Sequence, residues 1–330
     1  MRLIDADALA PQLDPGALIE ALREAHRDGG MGEVERVLIA APGTGNSVLT
    51  WVASHARRGV AVKTATVFPG NSCAGTRPNV QSVVTLFDAA DGAPLAVIHG
   101  ESFTRMKTAA DSALAADLLA VPDAATLAVM GAGGQARTHV RFLGAVRPSI
   151  RRVLVWNRTR DAAERLAAEL REDGVDAEAR PDPEAAVAEA AIVTCLTASP
   201  VPVLRGAWLK AGAHVDLVGG FTPMMRESDD VVVRRGRLFA DTLRFTLEDC
   251  GDFADPISRG VIARGRIEGD LFDLCAGRIR GRRTPEEIIA TDPVFLKDLG
   301  LLEALSTNRG NGIAAMARKI RELAALQRAA

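Results

Sequence analysis

The chain has 330 residues, a formal net charge of −2 and 48% hydrophobic residues. This length suggests two domains with sizeable cores, and the mixed charges exclude the basic stripe of a nucleic-acid-binding protein. No apolar run approaches the roughly 20 residues of a membrane span, and the acidic N-terminal segment lacks the apolar region of a signal peptide. We therefore expect a cytoplasmic protein with neither a nucleic acid nor a membrane as partner.

The cysteine and tyrosine content limits which metal sites and which general acids the protein can use. Cys73, Cys195, Cys250 and Cys275 lie far apart, and no CxxC pair is present. Such spacing predicts reduced thiols of a cytosolic protein and no metal site. The sequence contains no tyrosine, which excludes a tyrosine as general acid.

The first hundred residues predict a helix and a mostly antiparallel sheet. Apolar residues recur at helical spacing over 15–28. β-branched and apolar runs bounded by turn residues predict strands over 35–41, 47–53, 60–67, 81–87 and 94–98.

From residue 104 onward the pattern changes to alternating helices and strands. An alanine-rich helix is predicted over 104–119, and an amphipathic helix over 311–329. The strands predicted between them are 126–130, 152–156, 191–195, 213–218 and 237–240, and the helices are 134–145, 160–171 and 184–190. This alternation indicates an α/β fold with a parallel sheet covered by helices.

A glycine-rich turn follows the first of these strands. It reads Gly131-Ala132-Gly133-Gly134-Gln135-Ala136, a GxGxxA motif with a strand before it and a helix after it. The first glycine allows a tight turn, the second lets backbone N–H groups approach a pyrophosphate, and the alanine permits close packing of helix on strand. The motif predicts a Rossmann-type dinucleotide site that holds NAD(P)(H).

The end of the second strand bears on the choice of cofactor. It carries Asn157, Arg158 and Thr159, and no acidic residue stands there to bind the ribose hydroxyls of NAD. Arg158 can pair with a 2′-phosphate, so we expect NADP(H) to be preferred, with NAD(H) possible. Thr197 and Gly219, which follow two later strands, complete the expected cofactor-binding set.

Several segments together resemble the ornithine cyclodeaminase/mu-crystallin family. The similar segments, in family order, are VAVKTATVFPGN (60–71), FDAADGAPLAVIHG (87–100), FTRMKTAADSALAADLL (103–119), GAGGQA, VWNRT (155–159) and AHVDLVGGFTPMMRE (213–227). The resemblance implies a substrate-binding and dimerisation domain of residues 1–112 and 304–330, and a Rossmann domain of residues 113–303. It also implies a homodimer.

The resemblance assigns candidate substrate residues. Lys63 matches the family lysine that faces the substrate carboxylate and the reacting centre, and we take it as the catalytic residue. Lys107 stands where many members carry an arginine that binds the carboxylate. Arg36 matches a family arginine more loosely, and Asn79 stands where serine or threonine is usual.

Phe221 separates the candidate functions. Cyclodeaminases carry an aspartate directly after the paired glycines, whereas this chain has Gly219-Gly220-Phe221, and phenylalanine cannot take up a proton. The segment resembles the branch that reduces Δ1-pyrroline-2-carboxylate and Δ1-piperideine-2-carboxylate. The alternatives are an ornithine cyclodeaminase, an amino-acid or opine-type dehydrogenase, and a non-catalytic mu-crystallin-like binding protein.

Three further features carry weaker expectations. Asp216, in an apolar strand, is either a proton donor or a structural hydrogen-bond partner, and the structural role is favoured. His214 is expected in the core or beside the ribose. The basic run Arg278–Arg283 is expected to form a solvated face.

Overall fold

The computed structural model describes residues 2–5, 14–27, 33–55, 59–68, 70–71, 77–220 and 222–292. It divides into two compact units, one that extends to Lys107 and one that begins at Thr108. The expected helix over 311–329 and the expected domain contribution of 304–330 lie outside the described residues.

The first unit contains a sheet of six described strands. They are β1 (Arg2–Ile4), β2 (Glu33–Ala40), β3 (Ser47–His55), β4 (Gly59–Val67), β5 (Val80–Phe87) and β6 (Pro94–His99). The strand order is β1-β6-β5-β4-β3-β2; β1 pairs with β6 in parallel, and all the other pairs are antiparallel. Helix α1 (Pro15–Arg27) buries Leu18, Ile19 and Leu22. The expected antiparallel sheet is confirmed, with β1 as an added strand.

The register of this sheet separates two faces. Residues 36, 51, 63, 84, 98 and 4 are aligned in one row across the sheet. Within this row Lys63, Val84, Ile98 and Ile4 are buried. Because side chains alternate along a strand, the neighbouring residues face the other side. That opposite face, which we call the outer face, exposes large apolar side chains at Leu3, Val37, Ile39 and Val83.

The second unit contains an eight-stranded parallel sheet of described strands. They are β7 (Thr126–Met130), β8 (Arg152–Trp156), β9 (Ala177–Ala179), β10 (Ile192–Cys195), β11 (His214–Leu217), β12 (Arg237–Ala240), β13 (Ile267–Asp270) and β14 (Ile289–Asp292). The order is β13-β12-β14-β11-β10-β7-β8-β9, and every pair is parallel. The predicted parallel sheet is confirmed.

Helices connect these strands. Helix α2 (Gly100–Leu119) leads from the first unit into the second. The later helices are α3 (Ala136–Val146), α4 (Arg160–Glu172), α5 (Pro183–Glu189), α6 (Asp230–Arg235), α7 (Leu243–Asp249), α8 (Gly251–Ser258) and α9 (Leu271–Cys275). Alternate residues of the strands enter two separate apolar cores, since Leu127 and Val129 belong to one and Ala128 and Met130 to the other. The sheet is therefore covered on both faces, as a parallel sheet requires.

Two expectations from the sequence were wrong in detail. Helix α2 begins at Gly100 rather than 104, and Gly100 packs so closely on Ser82 that a Cβ would lie 2.3 Å from the Ser82 backbone. The basic run is not uniformly solvated: Arg282 is half-buried and donates to the carbonyls of Leu119, Pro285 and Glu287. One of these carbonyls, that of Leu119, is left unpaired by the end of α2, and an arginine supplies several donors that can bind it and the two carbonyls before β14 at once.

Candidate cofactor and substrate sites

The glycine turn lies at the carboxyl end of β7. Gly131 has φ of 118°, and a Cβ there would lie 2.9 Å from the carbonyl oxygen of Leu196, so only glycine fits. At Gly133 a Cβ would meet no described atom within 4 Å, which leaves the backbone open to a ligand. Gly134 and Gln135 form a turn, and α3 begins at the fully buried Ala136. This geometry fits the pyrophosphate of a dinucleotide at the N-terminus of α3.

The end of β8 lies against the glycine turn. The Asn157 side chain accepts a hydrogen bond from the Ala132 N–H at 3.1 Å and donates to the Thr159 carbonyl at 3.0 Å. Asn157 therefore holds the turn in place, a role that its sequence position did not reveal. Arg158 and Thr159, which follow Asn157, are exposed.

Thr197 and Gly219 follow β10 and β11, and a carboxylate that sequence reasoning missed joins them. Glu227 is fully buried; its Oε1 accepts from the Thr197 N–H at 2.5 Å and from the Thr197 hydroxyl at 2.8 Å. Its Oε2 accepts from the Gly219 N–H at 2.6 Å. Burial and then the neighbouring Asp252 raise the pKa of Glu227 to about 8, and these three hydrogen bonds oppose that rise.

Two further polar side chains are buried in the same sheet. Asp216 accepts a hydrogen bond from the Thr194 hydroxyl at 2.7 Å, so a structural bond is established for it. Neither ring nitrogen of the fully buried His214 has a hydrogen-bond partner among the described residues. Burial, followed by the charges of Arg282 and Arg147, lowers the pKa of His214 to about 3.

In the first unit, Lys63 occupies the middle of β4 and is only 6% exposed. Its Nζ lies 4.7 Å from the centroid of the Trp51 ring, which favours a cation there. The pairing of β3 with β4 places Trp51 directly beside Lys63, and the pairing of β2 with β3 places residue 36 directly beside Trp51. Arg36 and Lys63, two of the predicted substrate residues, therefore share one row of the sheet.

The other predicted substrate residues lie on different elements. Lys107 is in the second turn of α2 and is 4% exposed. The Asn79 carbonyl accepts from the Phe68 N–H at 2.7 Å, which fixes the start of β5 beside the end of β4. Phe221 lies outside the described residues.

The parallel sheet, the glycine turn and the residues at its strand ends define a Rossmann-type dinucleotide-binding protein with an added α+β unit. The chain matches the profile of the ornithine cyclodeaminase/mu-crystallin family over residues 14–297. It belongs to this family. A second profile, described as Fe-S metabolism associated domain, matches residues 274–324, and most of these lie outside the described part of the chain.

Similar proteins include named reductases. A Δ1-pyrroline-2-carboxylate reductase of Paracoccus denitrificans is 40% identical over 273 residues, which cover 82% of this chain and 84% of the relative. The ketimine reductase mu-crystallin of Mus musculus is 35% identical over 60% of this chain and 62% of its own. The structure of Thermococcus litoralis Δ1-pyrroline-2-carboxylate reductase, in complex with NADH and L-proline, is 28% identical with a TM-score of 0.86. That match covers 92% of this chain and 96% of the other.

Membrane-spanning helices and metal-binding clusters are both absent from the described residues. No described helix combines the length and apolar character that a membrane span requires. Within the same residues, no group of three or more histidine, cysteine, aspartate or glutamate side chains is arranged to hold a metal ion.

Proposed function

We propose that this chain reduces the C=N bond of a small cyclic imino acid, Δ1-pyrroline-2-carboxylate or Δ1-piperideine-2-carboxylate, to the cyclic amino acid. The observation that carries the proposal is the 40% identity to a Δ1-pyrroline-2-carboxylate reductase over 82% of the chain. A dinucleotide turn in the second unit and two buried lysines in the first agree with this chemistry.

Lys107 and Lys63 take separate roles in the proposal. The substrate carries one carboxylate, and a buried ammonium attracts it strongly because little water screens the charge. Lys107 anchors this carboxylate as a point charge, in the place of the arginine of other members. The family resemblance also assigns Arg36, Asn79 and Phe221 to the substrate-binding set.

Reduction needs a hydride on carbon and a proton on nitrogen. When bound, the reduced nicotinamide supplies the hydride to the carbon of the C=N bond. Lys63 supplies or relays the proton that ends on the ring nitrogen, so the imine becomes an amine and the charges balance. The glycine turn, Asn157 and the strand-end loops hold the dinucleotide so that the two reacting atoms meet.

We also propose that NADP(H) is preferred and that NAD(H) is accepted. Support comes from the exposed Arg158 at the end of β8 and from the absence of an acidic residue at positions 157–159. Asn157 already holds the turn through Ala132, so Arg158 and Thr159 are the residues available to a 2′-phosphate.

Assembly and location complete the proposal. The apolar outer face of the first unit supports a homodimer, because exposed apolar patches commonly mark interfaces between protein chains. A cytoplasmic location agrees with Cys195 and Cys250, which are free and buried among the described residues.

The test follows NADPH and NADH absorbance with both cyclic imines, with keto acid and amine pairs, and with ornithine plus NAD⁺. We expect reduction of the imines and little ammonia from ornithine. Replacing Lys63→Met should lower kcat about tenfold or more, while Lys107→Met should mainly raise KM for the imine.

Lys210→Met is the matched control, because Lys210 is an exposed lysine of the second unit that donates only to the Glu189 carbonyl in the described structure. Its kinetics should equal those of the unmodified protein. Sustained ammonia release from ornithine, with no net NADPH consumption on imines, would identify a cyclodeaminase instead.

A further inference from the structure

Glu227 ties together the loops that follow two neighbouring strands. Thr197 lies two residues after the end of β10, and Gly219 lies two residues after the end of β11. The backbones of these loops touch, since a Cβ on Gly219 would lie 1.6 Å from the carbonyl oxygen of Thr197. The single buried carboxylate of Glu227 accepts three hydrogen bonds from the two loops at this point of contact.

The backbone of Glu227 and its neighbour Ser228 is fixed by further hydrogen bonds. Its own N–H donates to the carboxylate of Asp252 at 3.0 Å, and the N–H and hydroxyl of Ser228 donate to the same carboxylate at 2.7 Å. The Glu227 carbonyl accepts from the N–H groups of Val203 and Leu204. The segment therefore has little freedom, and the carboxylate reaches Thr197 and Gly219 from a fixed backbone.

The strand order assigns these loops to one half of a dinucleotide. The glycine turn follows β7, and Asn157 follows β8 on one side of it, where the ribose of the adenosine half would lie. β10 and β11 lie on the other side of β7. A dinucleotide that crosses the carboxyl ends of the strands must place its nicotinamide half over Thr197 and Gly219.

We propose that Glu227 is a positioning residue that locks the Thr197 and Gly219 loops in the geometry needed for the nicotinamide half of the cofactor. The inference rests on the dinucleotide site of the proposed function, but it does not depend on which substrate is reduced. Glu227 does not touch the cofactor; it acts through the two loops.

The experiment compares Glu227→Gln with the unmodified protein. Glutamine keeps one acceptor oxygen but turns an NH₂ group toward one of the loop N–H donors, so at least one of the three hydrogen bonds is lost. A neutral side chain should cost less here than at an exposed site, because burial raises the pKa of Glu227 and so disfavours its charged form. We therefore expect the variant to fold, which circular dichroism would check.

Binding is measured by calorimetry with NADPH and with 2′,5′-ADP, a fragment that lacks nicotinamide. The Kd for NADPH should rise about tenfold in Glu227→Gln, whereas the Kd for 2′,5′-ADP should stay within about twofold. The fluorescence of bound NADPH should also change, since it reports the surroundings of the nicotinamide. A damaged fold would weaken both ligands together.

Glu287→Gln is the matched control. Glu287 also accepts backbone N–H groups, from Arg283 and Thr284, but it precedes β14 and so stands at the opposite end of the sheet. Both ligands should bind this variant normally. Equal weakening of both ligands in Glu227→Gln, or binding of both as tight as in the control, would overturn the inference.

Two other results, a variant that does not fold and a protein that does not reduce imines, can be distinguished from a failure of the inference. If Glu227→Gln fails to fold, Glu227→Asp keeps the carboxyl group but shortens the reach, and the same selective loss of NADPH binding is expected. If the unmodified protein binds NADPH but reduces no imine, the proposed substrate is wrong, and the selective loss in Glu227→Gln still decides the inference.

Discussion

The guanidinium of Arg158 is exposed at the end of β8, beside the place where an adenosine ribose would lie. A 2′-phosphate accepts charge-assisted hydrogen bonds from such a group, and the ribose hydroxyl of NADH gains little from it. Replacing Arg158→Ala should therefore raise KM for NADPH about tenfold and KM for NADH about twofold or less. Steady-state kinetics with both nucleotides would measure this.

Arg160→Ala provides the comparison for Arg158, because Arg160 is an exposed arginine two residues later that pairs with Glu164 on α4. It should change neither KM. Equal losses with the two nucleotides in Arg158→Ala, or a native preference for NADH, would refute the assignment of a 2′-phosphate site.

His214 makes the second unit sensitive to acid. The pKa of this buried ring is about 3 in the folded chain and 6.5 when exposed in the unfolded chain. Between these values the unfolded chain binds a proton that the folded chain does not, so stability falls as the pH drops below 6.5. At about pH 5 this costs about 2 kcal/mol relative to about pH 8.

Replacing His214→Leu should therefore raise the melting temperature, and by more at about pH 5 than at about pH 8. The increase at the higher pH comes from removing two buried nitrogens that have no partner among the described residues. Scanning calorimetry at the two pH values measures both effects. An increase that is the same at both would show that His214 titrates normally.

The sequence predicted the roles of some residues of the site and not of others. The role of Gly131 followed from its motif, because a tight turn in that context leaves room for no side chain. Glu227 was not predicted, although its segment contributed to the family resemblance. A lone glutamate in a polar segment suggests an exposed position, and its burial follows from loops that meet only in the folded chain.

At the scale of elements, the outer face of the first sheet is the feature most open to test. Leu3 is 76% exposed and Ile39 63%, and Val37 and Val83 lie on the same face. We expect two chains to pair through this face. Replacing Val37→Lys and Val83→Lys together should turn the dimer into a monomer, because charges on both copies would have to be desolvated.

Light scattering at micromolar concentration measures the mass of the protein and of this double variant. Val201→Lys is the control, since Val201 is a valine of the second unit that is more exposed than Val37 or Val83. It should stay dimeric. A monomeric mass for the unmodified protein would refute the proposed homodimer.

At the scale of the whole molecule, hydrophobic periodicity predicted the two sheets but not the order of strands in the second one. β14 was missed because it has only four residues, Ile289–Asp292, and follows a charged segment. Its pairing with both β11 and β12 was also not predictable. Periodicity reports which side of a strand is buried, and it carries no information about neighbours.

The position of β14 has a consequence for how the protein is made. β14 is the last described strand along the chain, yet it lies inside the sheet, between β11 and β12. A ribosome must therefore release all eight described strands of this sheet before the sheet can close. Until then β11 and β12 each present an unpaired edge to the surrounding proteins. Nascent and prematurely ended chains should thus depend on chaperones far more than the finished protein does.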